Sequence, residues 1–187
     1  MEMRSKIDLF NQALGRLGVK SLVGPDDEKD TAVYCERFYV PAVEEVLDSN
    51  HFACSVTRAS LARLDETPVY GFKYAYALPS DFLHLVQMEK DVPFCIESGN
   101  RLLCNLEQCN VSYVKRVTNP AELSSWVAEC IVLVLASKIA AAISDSPALS
   151  EKMLQEYLQV ALPKARTADT KQAHVFRGNP YWEQVAR

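Results

Sequence analysis

Apolar residues recur at helical spacing near both ends of this chain and at strand spacing in its middle. At the N-terminal end, Ser5 suits a helix N-cap, Asp8 suits the third helical position, and Gly18 can end the helix in a left-handed conformation. A second helix is predicted from about Lys29 to Asp48, with a bend or a restart at Pro41. The apolar face of the first helix consists of Ile7, Phe10, Leu14 and Leu17.

Two more helices are predicted towards the C-terminus. Asn119 suits an N-cap and Pro120 suits the first position of a helix that runs to about Ile143. This helix is apolar on most sides, so it should be the central buried element. The last long helix is predicted from Pro147 to about Gln172, with a kink at Pro163. Its apolar stripe consists of Leu149, Met153, Tyr157, Val160 and Ala161.

The hydrophobic period changes to two between about Ser55 and Val117. The segment from Tyr70 to Tyr76 alternates aromatic residues with small or polar ones, which predicts a strand whose aromatic face packs on the helices. Short β-prone runs separated by turn residues follow it, as in an antiparallel meander. The predicted fold is therefore α+β and mainly helical: a bundle of about four helices with an inserted small antiparallel β-meander.

The chain is expected to form one subunit with distinct parts. Residues 1–54 and 118–173 are predicted to form a helical body, residues 55–117 a β-rich insertion, and residues 174–187 a C-terminal tail. Phe176, Tyr181 and Trp182 are the tail residues that we expect to bind a partner, since the tail is too short to form its own core. The alternative is that Tyr181 and Trp182 fold back on the helical body.

The composition, with 49% hydrophobic and 24% charged residues, is typical of a globular protein. The formal net charge of −4 argues against a protein that grips nucleic acid by neutralising phosphates. No secretory signal is expected, because the first ten residues carry charges where an apolar signal core would lie. The longest apolar run, Trp126 to Ile143, is interrupted by Glu129 and Lys138, which favours a buried helix over a membrane span.

The six cysteines are spread along the chain and form no C-x-x-C pair. We expect them to be reduced thiols that pack as small apolar residues. The alternative is a zinc site formed by Cys95, Cys104, Cys109 and His84, although these spacings do not match the usual zinc motifs.

Catalytic motifs are absent from the sequence: it has no Gly-x-Ser-x-Gly elbow, no phosphate-binding loop and no His-Glu-x-x-His helix. Glu44 and Glu45 are adjacent, so on a helix they point about 100° apart, as residues of a solvated face do. His51 is expected to stabilise the C-terminus of the second helix. His84 and His174 have no partner that the sequence identifies, and no enzymatic activity is expected.

Five segments between about Leu9 and Gln172 carry a resemblance: ALGRLGVKSL, AVYCERFYVPAVEEVLDSNHF, KYAYALPSDFLHL, VSYVKRVTNPAELSSWVAECIVLVLASKIAAAIS and YLQVALPKARTADTKQ. In this order they resemble the tail tubular protein A family of short-tailed bacteriophages, which are head-to-tail adaptors, also called gatekeeper or connector proteins. The most specific parts are YAYALPSDFL and the transition from VSYVKRV into a helix. The chain departs from the family at Phe52, where relatives often have Trp, and the similarity ends at Gln172.

The resemblance implies a structural protein of the virion. In that family, a helical body with a β-rich insertion forms a dodecameric collar between the portal and the tail nozzle protein, and the genome passes through the lumen on ejection. By resemblance we expect a homo-oligomeric ring that contacts both proteins, lets DNA pass without specific binding, contacts no membrane and needs no cofactor. The expected location is the tail of a phage or prophage particle that is assembled in the host bacterial cytoplasm.

Two other functions remain open from the sequence. A peptidoglycan hydrolase needs two carboxylates held across a cleft, and no pattern selects a pair from Glu44, Glu45, Glu89, Glu97 and Glu129. A small DNA-binding regulator needs a basic face, for which Lys115-Arg116 and Lys164 to Arg166 are sparse.

Overall fold

The structure is a computed structural model of the chain and describes residues 4–24, 30–98, 100–143 and 146–173. It divides into two units, each with its own internal contacts. The first unit comprises the described residues within Met1–Val46, Phe52–Cys54 and Asn119–Arg187. The second unit comprises those within Leu47–His51 and Ser55–Thr118.

The helices are α1 (Lys6–Arg16), α2 (Asp30–Asp48), α3 (Ser125–Ile143), α4 (Pro147–Glu156) and α5 (Leu162–Ala173). A π turn (Tyr157–Ala161) joins α4 to α5, so these two form one continuous helix. The helix α2 runs without interruption through Pro41, where the sequence predicts a bend or a restart. The last two residues of α2 belong to the second unit.

The start and the end of α1 confirm the sequence prediction. The backbone N–H of Asp8 donates to the Ser5 hydroxyl over 3.2 Å, and the backbone N–H of Ser5 donates to the Asp8 carboxylate over 2.8 Å. This reciprocal capping box satisfies two amides that the helix itself leaves unpaired. Gly18 follows the end of the helix with a φ of +73°, a left-handed conformation that costs glycine little.

The helix α3 begins later than its sequence predicts. Asn119 and Pro120 cap a short 3₁₀ turn (Pro120–Glu122), in which the Asn119 side chain accepts from the backbone N–H of Ala121. The α-helix itself begins at Ser125. It is buried along most of its length and packs against α1, α4 and α5, as its apolar sequence predicts.

Length and composition alone would let α3 cross a membrane, but 67% of its most apolar window is buried inside the protein. At the rim of this core, Arg16 of α1 forms ion pairs with Glu129 of α3 and with Glu156 of α4. These pairs are partly exposed, so they fix the positions of the helices more than they add to stability.

The strands of the second unit are β1 (Val56–Ser60), β2 (Ala62–Arg63), β3 (Tyr74–Ala77), β4 (Phe82–Met88), β5 (Phe94–Glu97), β6 (Arg101–Cys104) and β7 (Asn110–Lys115). They form two antiparallel sheets. The three-stranded sheet has the order β1-β7-β4, and the four-stranded sheet has the order β2-β3-β6-β5.

The predicted fold, a mainly helical bundle with one small β-meander, is wrong: the protein is an α+β fold with two antiparallel sheets of three and four strands. In a meander each strand pairs with the next one, whereas here β1 pairs with β7, β4 with β7 and β3 with β6. Period-two alternation predicts that strands exist, but it does not specify their partners.

The chain changes sheets at points that the sequence marks only as turns. At Leu61, between β1 and β2, the backbone N–H donates to the carbonyl of Cys109 over 2.8 Å. The turn between β3 and β4 ends at Asp81, whose carbonyl accepts from the N–H of Arg116 and whose carboxylate accepts from the Tyr113 hydroxyl. This turn therefore joins one sheet to the other instead of forming a hairpin.

Side chains from both sheets share one core: Leu61, Tyr76, Leu78, Met88, Leu102, Cys104, Cys109, Val111 and Tyr113. The predicted packing of the aromatic strand on the helices is wrong, because Tyr76 lies in this core and donates its hydroxyl to the carbonyl of Leu106. The strand is also shorter than predicted. It starts at Tyr74, while Gly71 has a φ of +83° and Tyr70 is 87% exposed.

We predict that Ala140→Glu prevents folding. Ala140 of α3 is fully buried, and a glutamate there would place an unpaired charge in the core, at a cost of about 4 kcal/mol or more. Ala141→Glu is a matched control, because Ala141 is the next residue of the same helix and is exposed. Circular dichroism and thermal melting should show a folded Ala141→Glu protein and an unfolded or aggregated Ala140→Glu protein. Cooperative melting of soluble Ala140→Glu protein would contradict the observed packing.

The capping box of α1 should make part of the stability depend on acid pH. Hydrogen bonds from the Ser5 hydroxyl, and then from the Ser5 backbone, lower the pKa of Asp8 below its ordinary value. A carboxyl with a depressed folded-state pKa stabilises the protein above its unfolded pKa and loses that contribution as the pH falls through the folded value. Denaturant titrations from neutral pH to below about pH 4 should therefore show a smaller acid-induced loss for Ser5→Ala, with a cost of about 1 kcal/mol at neutral pH. An identical pH dependence in both proteins would exclude this role for Ser5.

Candidate interaction surfaces

The tail residues that the sequence singles out for partner binding, Phe176, Tyr181 and Trp182, lie outside the described residues, as does His174. Their role stays a prediction. The surfaces that the structure does describe belong to the two units and are presented one unit at a time.

The carboxylates that a hydrolase would need form separate contacts. Glu45 pairs with Lys138 over 2.6 Å, which joins α2 to α3 within the first unit. In the second unit, Glu89 accepts from the Asn110 amide over 2.8 Å, and Glu97 pairs with Arg101 over 3.4 Å. Glu129 pairs with Arg16. Each of these four acids thus serves a contact between neighbouring elements.

A pair of histidines in the second unit is the group of side chains that comes nearest to a catalytic arrangement. The Nδ1 atom of His84 in β4 lies 3.0 Å from an Asp48 carboxylate oxygen, and its ring centroid lies 4.8 Å from that of His51. A carboxylate that orients an imidazole is half of a general-base arrangement. The Nε2 atom of His84 is buried and has no hydrogen-bond partner among the described residues, so no nucleophile completes the arrangement there.

The cysteines and His84 do not form the zinc site that the sequence leaves open. Within the described ranges, no group of three or more His, Cys, Asp or Glu side chains is arranged to hold a metal ion. Cys104 and Cys109 are buried in the core shared by the sheets, whereas Cys95 is exposed on β5.

A cavity of about 450 Å³ in the second unit lies over the polar face of the three-stranded sheet. Its side chains come from β1, β4 and β7 and include Arg58, Gln87 and Ser112, which form one cross-strand row. A polar outer face is normal for an antiparallel sheet that is buried on one side only. This cavity is therefore explained by solvent exposure of the sheet.

The strand β5 forms a free edge of the four-stranded sheet. Among the residues that the structure describes, it pairs only with β6, and all four of its residues are exposed. Phe94 and Ile96 alternate along the sheet face that also carries Leu102 and Cys104 of the core. They are nevertheless 45% and 43% exposed. The described residues thus cover these two large apolar side chains of the inner face only in part.

The edges of the two sheets differ in how well they resist pairing. The register of β4 against β7 shifts between Phe82 and His84 and again between Leu85 and Gln87. Such irregularities distort an edge and discourage another strand from joining it. The register of β5 against β6 is regular over all four pairs, and the strand itself contains no Pro or Lys. It is therefore a more receptive edge than β4.

Exposed apolar side chains also lie beside this edge. A groove of about 210 Å³ runs between the loop residues 66–70 and the outer face of the four-stranded sheet, where it is lined by Ala75, Glu97 and Leu103. The loop residues Val69 and Tyr70 are largely exposed. We call Phe94–Glu97 the β5 edge; the loop forms its flank.

In the first unit, exposed apolar residues follow the helix formed by α4 and the π turn. Leu154 and Leu158 are one turn apart, and Val160 follows them. Val33 and Val40 are exposed on α2, and Trp126 is half exposed near the start of α3. Isolated exposed apolar residues are ordinary, but Leu154 and Leu158 form a row, whereas Val160 lies on the other side of the buried stripe of this helix.

The thiols should react with maleimide in two classes. All six cysteines are free, and Cys95 is the exposed one. Burial raises the pKa of Cys35 to about 11 and the pKa values of Cys109 and Cys130 to about 12, which suppresses the reactive thiolate. We expect one fast-reacting thiol in native protein near neutral pH, its loss in Cys95→Ser, and six reactive thiols after unfolding. A fast phase that survives Cys95→Ser would contradict the exposed position of this residue.

Neither a protein-family model nor a curated protein matches this chain. Its function is therefore inferred from its own surfaces and from the resemblance of its sequence segments.

Proposed function

We propose that this chain is a structural subunit of a homo-oligomeric ring, the head-to-tail adaptor that joins the portal to the tail nozzle of a short-tailed bacteriophage or prophage. The observation that carries the proposal is the β5 edge. It is a regular sheet edge that no described strand pairs with, and its two apolar side chains are nearly half exposed. Proteins usually protect such an edge, so its exposure in a single chain favours a chain that is covered in an assembly.

A closed ring needs two different interaction surfaces on each subunit, because each copy contacts one neighbour with one face and the other neighbour with another. The β5 edge is one such surface, and the opposite edge of the same sheet, β2, is another. The row formed by Leu154 and Leu158 in the first unit offers a third, which suits a different protein. The portal and the nozzle protein are the partners that the sequence resemblance implies, as is the dodecameric state.

The charge of the chain fits a conduit for DNA. A formal charge of −4 gives a lumen little tendency to neutralise phosphates and retain the genome by release of its counterions. The basic pairs Lys115-Arg116 and Lys164 to Arg166 belong to different units and do not form one basic face within either. These features support passage of DNA without specific binding.

The contacts of the glutamates and of His84 support a structural role over the hydrolase alternative. Glu45, Glu89, Glu97 and Glu129 are each occupied by a basic or amide partner. A retaining or inverting glycosidase instead holds two carboxyl groups across a cleft, with room for a sugar between them. The His84–Asp48 pair lacks a nucleophile among the described residues.

The test of this proposal is the product formed with the portal protein that the same genome encodes. Native mass spectrometry and negative-stain images of the mixture should show a ring of this chain on one end of the portal. Purified cell walls and labelled duplex DNA serve as controls, and neither turbidity loss nor a mobility shift is expected. A protein that stays monomeric with the portal and clears cell walls, or that shifts DNA, would exclude the adaptor role.

Deletion of residues 174–187 should separate folding from portal binding. The truncated protein keeps every helix and strand described above, so we expect its melting temperature to stay nearly unchanged. The tail supplies Phe176, Tyr181 and Trp182, and large aromatic residues often anchor interfaces, so portal binding should be lost. A triple alanine variant of these residues in the full-length chain should give the same result. A much lower melting temperature would assign the tail to the core, and normal docking would place the portal contact elsewhere.

A further inference from the structure

We propose that β5 of one copy of this chain pairs with β2 of a second copy, head to tail, so that the four-stranded sheet continues from subunit to subunit. This inference rests on the proposed self-assembly and specifies the surfaces that carry it. The two strands are the free edges of the same sheet, β2 (Ala62–Arg63) at one end and β5 (Phe94–Glu97) at the other.

The strand directions allow this arrangement. All pairings in the order β2-β3-β6-β5 are antiparallel, and the sheet has four strands. With an even number of alternating strands, β2 and β5 run in opposite directions. A second copy placed beside the first by a simple head-to-tail step therefore brings its β2 antiparallel to β5. The antiparallel pattern then continues without a break.

The second copy would also cover the exposed part of the core. Phe94 and Ile96 lie on the inner face of β5 and are nearly half exposed. In every copy, β2 is separated from β1 by Leu61 alone, and β1 is an edge strand of the three-stranded sheet. A neighbour whose β2 lies beside β5 therefore brings its own β1 close to these two side chains. The continuous segment β1–β2 of the neighbour thus supplies both a strand that pairs with β5 and a strand that covers Phe94 and Ile96.

Charge favours this pairing over the symmetric alternatives. The β5 edge carries Glu97 and β2 carries Arg63, so a β5–β2 contact joins edges of opposite formal charge. A β5–β5 contact would join two edges that each carry a glutamate and no basic residue, and a β2–β2 contact would join two edges that each carry an arginine; Glu97 and Arg63 lie on different faces, so the attraction in a β5–β2 contact acts between the edges and not as a direct ion pair. A symmetric β5–β5 contact would also end at a dimer, whereas the head-to-tail contact can repeat until a ring closes.

The register of the sheet supplies a crosslinking test with a built-in control. The side chains of Ala62, Arg101 and Glu97 form one row across the outer face, and Cys95 lies on that same face, two residues before Glu97. Arg63 lies one residue further along β2 and therefore on the inner face. Continuing this row would place Ala62 of the next copy opposite Glu97 and diagonal to Cys95, about 7–8 Å away. A thiol reagent of that span can join Cys95 to the new thiol of Ala62→Cys in the next copy, but not to that of Arg63→Cys on the other face.

The experiment uses full-length protein in a Cys54→Ser background, which leaves Cys95 as the exposed thiol of the described residues. We expect Ala62→Cys to give a ladder of dimers, trimers and larger species on denaturing gels. The parent protein, Arg63→Cys, and Ala62→Cys combined with Cys95→Ser should give no ladder. A dimer from the parent alone would show a symmetric β5 contact, and an equal ladder from Arg63→Cys would show random collision. Either result overturns the inference.

A second measurement does not depend on cysteine chemistry. Ile96→Lys places a charge on the inner face of β5 and should weaken self-association about tenfold or more in sedimentation experiments, with a nearly unchanged melting temperature. Val40→Lys is the matched control, since Val40 lies on α2 in the first unit and is 48% exposed, close to the exposure of Ile96. Equal association of both variants with the wild-type strength would also overturn the inference.

The outcomes separate this inference from the adaptor role. Both assays are run with the protein alone at high concentration and again with the portal protein. Rings that form on the portal without a crosslinked ladder from Ala62→Cys would preserve the adaptor role and exclude β5–β2 pairing. A ladder without portal binding would preserve the pairing and exclude the adaptor role. Absence of a ladder under both conditions overturns the inference.

Discussion

The burial of α3 is the constraint on which the helical unit depends. Twelve of its nineteen residues are buried, so it needs neighbours on nearly every side. The helix formed by α4, the π turn and α5 contributes Met153, Tyr157, Ala161 and Ala165 to the buried surface, one every four residues. On a regular helix this row would drift by about 120° from first to last. The π turn adds one residue to a single turn, which removes about 100° of that drift.

The π turn also shows what a local sequence pattern can predict and what it cannot. Pro163 has no N–H to donate, and its ring crowds the carbonyl four residues earlier, so an irregularity near it is predictable. That the irregularity is a π turn is not predictable, because this turn is favoured by the packing of the row from Met153 to Ala165 against the core. The cap at Ser5 and the stop at Gly18 were predictable for the opposite reason: each depends only on residues a few positions away.

The pairing of the strands could not be predicted from the sequence, because it depends on residues that are far apart along the chain. Nothing near Tyr76 indicates that its neighbour across the sheet is Leu102, or that the chain changes sheets at Leu61. The β5 edge was missed for the same reason, since the exposure of Phe94 and Ile96 depends on how distant parts of the chain pack. His84 and Asp48 are 36 residues apart, and the fold brings them together without a sequence signal.

The size of the β5 edge limits how tightly two copies can bind. Because β2 has two residues against the four of β5, the new strand pair can form only a few backbone hydrogen bonds, each worth about 0.5–1.5 kcal/mol net. Because β5 is already ordered by pairing with β6, little chain entropy is lost when it binds. The loss of translational and rotational freedom opposes these few bonds, so the net affinity is no stronger than the ~4 kcal/mol of a millimolar dissociation constant. A single contact of this strength leaves a dilute protein monomeric.

A template that holds several copies side by side raises their effective concentration, and closure of a ring then engages every edge at once. Weak edges therefore favour assembly on the portal over premature assembly in solution.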